Sequence, residues 1–335
     1  MDAGKRRSPS MAADPGIDTA VAILRQGGLV AFPTETVYGL GADASNPEAL
    51  RKLYAVKGRP AGHPVIVHLA DVSQVAQWAR ELPPAAVRLA ARFWPGPLTL
   101  ILRRAPGVSD AVTGGQETVG LRIPSHPVAQ ALLTKFGGGI AAPSANRFGR
   151  VSATTAQHVQ QEFGDGVDCV LEGGPSEIGI ESTIVAVTGA RPVLLRPGHI
   201  PAREIEQAAG VPLGATDSGA PRAPGTLAAH YAPQTPLLVM EGDLLLELAA
   251  SLTRQGKRVA VLARGARQPL LSGLTWIAAP PDAPVYAHDL YANLRALDAA
   301  GCDSILVEKP PPQPEWDAVN DRLGRAAAGS SPTST

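Results

Sequence analysis

Cysteine, aromatic residues and net charge are scarce in this chain, and each scarcity argues against a class of function. Cys169 and Cys302 are the 2 cysteines among 335 residues, and their separation fits neither a metal site nor a redox pair. We interpret them as free thiols in a reducing cytoplasm. Aromatic residues make up 4% of the sequence and the formal net charge is zero, which argues against base stacking and against tracking of nucleic-acid phosphates.

Long apolar runs are also missing. No run reaches the roughly 18 residues that a membrane span requires, so we expect no contact with a membrane. Residues 1–15 are basic and small but lack the apolar segment of a secretory signal. We predict a disordered tail there, with Met11 as an alternative start of the protein, and a second disordered tail at residues 330–335.

The pattern of apolar residues predicts two domains joined by a linker. Residues 16–210 mix helices and strands irregularly, which predicts an α/β domain with a twisted, mixed sheet and a concave site at strand ends. Residues 211–235 are rich in Gly, Pro, Ala and Ser and lack periodicity, which predicts a linker or lid. Residues 236–329 alternate strands and helices regularly, as in a small doubly wound, Rossmann-like α/β domain.

Periodicity and Pro or Gly boundaries predict individual elements of the first domain. A polar elbow is predicted after the first strand, where Gly39 and Gly41 would let backbone approach a ligand closely. The next helix carries a capping box, with Ser45 as N-cap and Glu48 three positions later. Further helices are predicted at residues 71–80, 84–93, 127–136, 154–163 and 202–209, and strands include 29–32, 65–69 and 118–123.

Lys57 and Arg59 lie on a Gly/Pro loop where neither a helix nor a strand accounts for them. Lys acts as a point charge for phosphate, and Arg can donate two hydrogen bonds to phosphate or carboxylate. A solvated turn is the alternative, but the loop lies between the polar elbow and a strand that carries His68, which favours an anion site. The chain has no Walker A sequence, and Gly39-Leu-Gly41 lacks the third glycine of a dinucleotide fingerprint.

Arg122 lies in the segment T-V-G-L-R-I-P, whose other residues are glycine, apolar or hydroxylated, so its charge needs a partner. A buried carboxylate such as Glu35 or Glu181 would serve, and so would the carboxylate of a ligand. Arg196, in L-L-R-P-G, follows the same logic. The residues alone leave the choice open.

Several hydroxyl groups and one histidine follow strands or precede helices. A hydroxyl there usually caps backbone, and Ser152 is placed to cap the helix at 154–163. His68 could be a general base, a substrate contact or a satisfied core residue, and no second His or Cys at zinc spacing supports a metal site. The hydroxyl groups in question belong to Thr36, Ser144, Ser152 and Ser182.

Six ordered motifs between about residues 16 and 209 carry a resemblance to one family. They are P-T-E-T-V-Y-G-L-G, K-G-R-P-x-x-H-P-V-I-V-H, W-P-G-P-L-T, A-P-S-A-N, G-I-E-S-T-I and L-R-P-G. Together they resemble the YrdC-like family, the threonylcarbamoyl-AMP synthases. A further A-P-G-x-x-x-x-H-Y-A-P, at residues 223–233, resembles the long two-domain members.

The resemblance implies a nucleotidyltransferase that converts ATP, L-threonine and bicarbonate (or CO2) to threonylcarbamoyl-AMP and pyrophosphate, with Mg2+ accompanying ATP. It implies that the product passes, in the cytoplasm, to a tRNA threonylcarbamoyl transferase complex. Contact between this chain and tRNA is a further expectation of the resemblance. The modified adenosine lies in tRNAs that read codons beginning with A.

The resemblance also implies roles for individual residues. Arg122 would hold the threonine carboxylate, Arg59 would face phosphate, and Lys57 would add positive potential beside it. His63 stands where the family usually has Asn, and residues 226–229 replace a basic and aromatic run. The implied threonine-binding residues are Thr36, His68, Arg122, Ala142 (through its backbone) and Ser182; the implied ATP-binding residues are Arg59, His63, Thr118, Ser144, Ser152, Arg196 and Tyr231.

Two other functions compete with this one. The first is an RNA-binding or ribosome-associated module that uses a basic cleft without catalysis, against which the low aromatic content and zero net charge argue. The second is carbamoyl transfer to another acceptor, as in larger proteins that contain this domain. The lack of zinc-finger-like cysteine pairs argues against it.

Overall fold

The structure is a computed structural model that describes residues 15–216 and 219–330. Both predicted tails lie almost wholly outside the described residues, as does Met11. At their inner edges the predictions were wrong by one residue. Pro15 begins the first helix and Ser330 ends the last one.

The first domain contains nine strands with helices between them, and three of the predicted helices have the predicted bounds. Its elements are α1 (Pro15–Arg25), β1 (Val30–Phe32), β2 (Gly39–Asp43), α2 (Pro47–Lys57), β3 (Ile66–His68), α3 (Pro84–Phe93), β4 (Leu98–Arg103), α4 (Asp110–Thr113), β5 (Thr118–Arg122), α5 (Pro127–Phe136), β6 (Ile140–Ala141), α6 (Ala156–Phe163), β7 (Cys169–Val170), β8 (Thr183–Ala186), β9 (Val193–Arg196) and α7 (Ala202–Ala209).

These strands form one mixed sheet in the order β7-β1-β2-β6-β3-β5-β4-β8-β9, which confirms the predicted mixed sheet. The pairs β3–β5, β4–β8 and β1–β7 are parallel, and the other neighbours are antiparallel. In the β3–β5 register, His68 lies directly beside Arg122. The pairing therefore brings two predicted site residues together from distant parts of the sequence.

The predicted polar elbow is present at residues 33–38, between β1 and β2, but its extension to Gly39 and Gly41 was wrong, because both glycines belong to β2, which pairs with β1. A Cβ atom on Gly41 would lie 2.8 Å from the ring of Phe32 and 2.9 Å from the side chain of Ile140. Gly41 is thus required by packing around the sheet. Gly39 does line the cleft described below.

Three local predictions differ from the structure, and in the two that concern helix N-caps a neighbouring residue supplies the capping side chain. Asn46, not Ser45, caps α2, since its side chain accepts hydrogen bonds from the backbone N–H groups of residues 48 and 49. Thr155, not Ser152, caps α6. The helix predicted at 71–80 is a 3-10 helix, Val72–Gln77, capped by Asp71.

The second domain is doubly wound, as predicted. Its elements are β10 (Leu237–Met240), α8 (Gly242–Arg254), β11 (Val259–Ala263), β12 (Leu274–Ala278), α9 (Ala283–Ala299), β13 (Ser304–Glu308), a 3-10 turn (Pro314–Trp316) and α10 (Asp317–Ser330). The parallel sheet has the order β10-β13-β11-β12. Helix α8 packs on one face, and α9 and α10 pack on the other.

The core on the α9–α10 side does not stop at the domain boundary. Val37, Val151 and Ile180 of the first domain and Tyr231 of the linker belong to the same buried cluster as the apolar residues of α9 and α10. The two domains and the linker are therefore joined by continuous apolar packing.

Candidate functional site

A cleft lies where β3 and β5 end, beside the short strand β6. Most residues predicted for the site lie on it, although their individual roles stay predictions. Those lining it are Thr36, Arg59, His68, Arg122, Ala142, Ser144, Ser182, Arg196 and Tyr231.

The linker closes this cleft. Pro224, Gly225, His230 and Tyr231 form one of its walls. The cavity volume is about 40 Å³, whereas pockets for drug-sized ligands have roughly 300–1,000 Å³. A ligand of nucleotide size therefore enters only if the linker moves.

Arg122 has a buried carboxylate partner and also lines the cleft. Its Nη2 atom donates to Glu35 Oε1 at 2.7 Å and its Nη1 atom donates to Thr36 Oγ1 at 2.8 Å, and all three residues are buried. Glu35 also accepts from the backbone N–H of Ser125 at 3.1 Å. Of the alternatives left open by the sequence, the Glu35 pair is present, and it holds the guanidinium at the cleft.

His68 is neutral at this position. It is 3% exposed, and in the described part of the chain its Nδ1 atom has no hydrogen-bond partner. Burial and the neighbouring charge of Arg122 lower the pKa of His68 to about 3. The ring can therefore exchange hydrogen bonds with a ligand at neutral pH, but it is a very weak base. Ala142 donates its N–H to Ile66, so the predicted backbone contact would use its carbonyl oxygen.

The free energy of unfolding should fall as the pH is lowered below the pKa of a histidine side chain in the unfolded chain. An unfolded histidine titrates near 6.5, whereas folded His68 has a pKa of about 3. Above about pH 6.5 both states are neutral, and between about 6.5 and 3 only the unfolded chain gains the proton, so stability is lost across that window. We expect His68 to contribute about 0.7 kcal/mol per pH unit to this slope at about pH 6.5, where half of the unfolded histidine is protonated, and close to about 1.4 kcal/mol per pH unit near pH 5.

Urea unfolding at several pH values between 7.5 and 5 measures this slope. His68→Gln should make it shallower by the stated amount, whereas His199→Gln, at an exposed histidine, serves as the control. An unchanged slope in His68→Gln would show that His68 does not carry the loss. His230, whose pKa burial also lowers to about 3, should retain its own contribution in both variants.

Two further guanidinium groups lie on the cleft without a carboxylate. Arg59 donates to the carbonyl of Pro64 at 2.7 Å, and Arg196 donates to the carbonyls of Ser182 and Pro224. Within residues 15–216 and 219–330, no carboxylate lies within ion-pair distance of either one. Burial lowers the pKa of Arg59, a cost that a bound anion would offset. These two charges make the cleft suited to phosphate.

Lys57 lies behind the cleft wall. It is 2% exposed, and its Nζ atom donates to the carbonyl of Ser144 at 2.6 Å and to that of Asn146. Burial and the charge of Arg59 lower its pKa well below the usual value. Lys57 therefore stabilises the turn that carries Ser144. The sequence predicted that Lys57 adds positive potential at a bound phosphate, and in this position it would do so from the far side of that turn.

Three more predicted residues do not line the cleft. Thr118 lies at the opposite end of β5 from Arg122. Ser152 is fully buried and donates to Glu181, which itself lines the cleft. His63 lies at the rim, where its ring packs edge-on against Phe148 with ring centroids 5.3 Å apart.

The sequence did not reveal a row of rings that continues from this rim into the second domain. Phe148 packs against His230, His230 against Tyr231, and Tyr231 stacks on Tyr291 of α9 at 5.7 Å. The guanidinium of Arg59 lies 5.6 Å from the centre of the Phe148 ring. The only sequence signal was the adjacent pair His230-Tyr231, because the other rings meet through tertiary packing.

Glu181 lines the cleft, and two of its three side-chain partners come from the second domain. Its oxygens accept from Ser152 Oγ at 2.5 Å, Tyr291 Oη at 2.8 Å and Arg322 Nε at 2.8 Å. Burial alone would raise the pKa of Glu181, but Arg322 and Arg196 outweigh it and lower the pKa to about 2. Glu181 is therefore ionised and fully engaged.

The described residues contain neither a cluster suited to a metal ion nor a helix suited to a membrane span. No group of three or more His, Cys, Asp or Glu side chains in that part of the chain is arranged to hold a metal ion. None of the described helices is long and apolar enough to cross a membrane.

Comparison with known proteins relates both domains to a single family. The Sua5/YciO/YrdC profile, described as telomere recombination, matches residues 22–198. The Sua5 C-terminal profile, described as the C-terminal domain of threonylcarbamoyl-AMP synthase, matches residues 200–328.

Full-length relatives are similar over nearly the whole chain. A threonylcarbamoyl-AMP synthase from Bacillus subtilis is 42% identical over 325 residues, with 94% of each chain covered. A protein of the same name from Pyrococcus abyssi is 40% identical, with 93% of this chain and 94% of the relative covered. The crystal structure of P. abyssi Sua5 complexed with L-threonine superposes with a TM-score of 0.86 at 38% identity, covering 94% of both chains.

Proposed function

This chain belongs to the two-domain Sua5/YrdC family of enzymes, and on that premise we propose that it converts ATP, L-threonine and bicarbonate to threonylcarbamoyl-AMP and pyrophosphate. The observation that carries the proposal is the single cleft on which Arg122 and His68, adjacent in the sheet, meet Arg59 and Arg196. One cleft thus offers a guanidinium for an amino-acid carboxylate and two more for phosphates.

The reaction brings together two anions, the carbamate of threonine and ATP. This explains why the cleft carries several arginine side chains. The amino group of threonine, after losing a proton to solvent, combines with bicarbonate to give a carbamate and water. A carbamate oxygen then attacks the α-phosphorus of ATP, a new phosphorus–oxygen bond forms, and the bond to the β-phosphate oxygen breaks to release pyrophosphate. Positioning and charge stabilisation supply most of the acceleration in phosphoryl chemistry of this kind. The enzyme is accordingly a nucleotidyltransferase, and it needs no strong general base because the attacking carboxylate is already ionised.

Substrate selection follows from the polar groups at the threonine side. We assign Thr36, His68, Arg122, Ser182 and the carbonyl of Ala142 to threonine. A site built to hydrogen-bond a substrate hydroxyl rejects an analogue without it, because its own polar groups are left unpaired. Valine, which matches threonine in shape but lacks the hydroxyl, is therefore a poor substrate.

Mg2+ would reach this cleft with ATP. Glu181, which lines the cleft, is not available as a ligand because Ser152, Tyr291 and Arg322 engage it. Glu35 does not line the cleft and is engaged by Arg122. Mg2+ is commonly held through substrate phosphates with few protein ligands. When bound, it would neutralise charge on the leaving pyrophosphate. Arg59 and Arg196 would orient the same phosphates from the protein side.

The product is a reactive adenylate for tRNA modification. We propose that it passes, in the cytoplasm, to a tRNA threonylcarbamoyl transferase complex that forms threonylcarbamoyladenosine in tRNAs reading codons that begin with A. The zero formal net charge supports hand-over of a small molecule as the main link to tRNA. Direct contact between this chain and tRNA is a separate expectation.

Pyrophosphate release by the purified chain tests the proposed reaction. We expect release from ATP to require both threonine and bicarbonate, and to fall by about 100-fold or more when valine replaces threonine. Omission of each component in turn, in buffer stripped of CO2, makes the assay specific.

Three outcomes would contradict the proposal in different ways. Release with threonine alone in CO2-free buffer would indicate simple amino-acid adenylation. Equal rates of pyrophosphate release with valine and threonine would show that the site does not recognise the threonine hydroxyl. Binding of ATP with no release under any condition would favour the non-catalytic RNA-associated module instead.

A further inference from the structure

A charged residue lies on the apolar face of the last helix. Helix α10 buries Ala318, Val319, Leu323 and Ala326 against the rest of the protein, and Arg322 lies among them with 1% exposure. Burying a guanidinium costs free energy unless its donors are satisfied. An apolar residue would fill this helix position without that cost, so the contacts of Arg322 call for an explanation beyond packing.

Apart from an ion pair with the neighbouring Asp321, the contacts of Arg322 lead to segments that form the cleft. Its Nε atom donates to Glu181 Oε2 at 2.8 Å, and its Nη1 atom donates to the carbonyl of Pro197 at 3.0 Å. Glu181 directly precedes Ser182, and Pro197 directly follows Arg196. One guanidinium from the second domain thus holds the backbone beside a threonine-side residue and beside a phosphate-side residue.

The same guanidinium also lies against the linker. The central carbon of the Arg322 guanidinium is 5.2 Å from the centre of the Tyr231 ring. That ring in turn stacks with Tyr291 on α9. Tyr231 has a φ of 61°, a left-handed conformation that is a strained backbone state for a bulky residue. Such a state persists only where the surroundings enforce it, and Arg322 and Tyr291 are among those surroundings.

Glu181 completes the connection. It accepts hydrogen bonds from Tyr291 and Arg322 of the second domain and from Ser152 of the first, and it lines the cleft. Arg196 donates to the carbonyl of Ser182 and to that of Pro224 in the linker. The wall of the cleft, its linker cover and the second domain therefore share one buried hydrogen-bonded network.

We propose that Arg322 is a positioning residue for the nucleotide: by binding Glu181, the Pro197 carbonyl and the Tyr231 ring at once, it holds the Tyr231 end of the linker, so that the linker, once it has moved to admit ATP, closes over it in one defined geometry. This inference rests on the proposed function and adds a role for the second domain. The second domain holds the linker in place, and Arg322 is the residue of that domain that contacts the segments next to the ATP side of the cleft.

Three variants separate positioning from stability. Arg322→Met leaves Glu181 without its charged partner, so it loses stability as well as geometry. The double variant Arg322→Met with Glu181→Gln removes both charges and should recover stability while the contact with Tyr231 stays lost. Arg322→Lys keeps the charge but cannot donate to Glu181 and Pro197 in the same planar geometry.

We expect the KM for ATP to rise about tenfold or more in all three variants. Threonine affinity measured without ATP should change much less than the KM for ATP, because Ser182 is the one assigned threonine residue beside an Arg322 contact, whereas Arg122 and Thr36 are held by other partners. Arg295→Met is the matched control: Arg295 is another guanidinium from α9 that crosses to the first domain, where it contacts Val151, Ser152 and Glu162. It should leave the KM for ATP unaffected.

Linker position can be read without turnover. Arg222 is exposed in the linker and is a site for trypsin. Binding of α,β-methylene-ATP should slow cleavage after Arg222 in the unchanged chain and in Arg295→Met, and should give little protection in the double variant. This assay does not depend on which substrates the enzyme turns over.

Two results would overturn the inference. The first is a stable double variant with unchanged KM for ATP and full protection by the analogue. The second is an equal rise in KM in Arg295→Met, which would show a general effect of loosening the domains. If the unchanged chain released no pyrophosphate but the analogue still protected it in an Arg322-dependent way, the proposed reaction would fail while the positioning role stood.

Discussion

Arg122→Ala is expected to lower kcat/KM for threonine by at least about 100-fold, the largest catalytic loss of any single change we predict. The substitution removes the guanidinium that would hold the substrate carboxylate. It also leaves Glu35 buried without its charged partner, which typically costs about 3–5 kcal/mol. Threonine binding by calorimetry, together with pyrophosphate release per folded molecule, measures both effects.

A second variant separates the two losses. Arg122→Met combined with Glu35→Gln removes both buried charges, so stability should recover while threonine binding stays lost. Arg103→Ala, at an exposed arginine ending the neighbouring strand β4, is the control and should bind threonine normally. If the double variant regained threonine affinity along with stability, Arg122 would serve only to neutralise Glu35.

Arg59→Ala is expected to raise the KM for ATP by about 30-fold or more while threonine binding is retained. Arg59 has no carboxylate partner among the described residues, so its removal leaves no buried anion behind and the stability loss should be small. It makes one backbone contact, to Pro64, and its guanidinium lies beside Phe148. Initial rates at varied ATP and saturating threonine measure the change.

Arg51→Ala provides the matched control for Arg59. Arg51 lies on α2, the helix that ends just before Arg59, but it is exposed and pairs with Glu48 one turn away. Its loss should alter neither KM. A variant of Arg59 with unchanged ATP kinetics would remove the phosphate role from the Lys57–Arg59 loop and leave Arg196 as the phosphate ligand on this side.

Elements whose ends are marked by local chemistry could be predicted from the sequence. Helices α3 and α5 begin at a proline, and α5 ends before a glycine in the left-handed conformation, so their bounds follow from rules that act within a few residues. Strand β2 follows no such rule. It is rich in glycine, and it forms because β1 and β6 lie on either side of it.

The candidate site likewise contains residues that could be recognised from the sequence and contacts that could not. Arg122 could be identified because a charge among apolar residues of a strand is visible in the sequence. Arg322 gave a similar signal on α10, where it shares a helix face with Val319 and Leu323. Its partner could not be predicted, because Glu181 meets it only through the docking of two domains, 141 residues apart in sequence.

That separation has a consequence for how the chain comes into being. A protein emerging from the ribosome folds its N-terminal domain first. The strands that carry Arg122 and His68 can assemble as soon as the first domain is complete, but the residue that holds the nucleotide side arrives only with the last helix. A nascent chain would therefore complete its amino-acid half-site early, whereas its full affinity for ATP would await the synthesis and docking of α10.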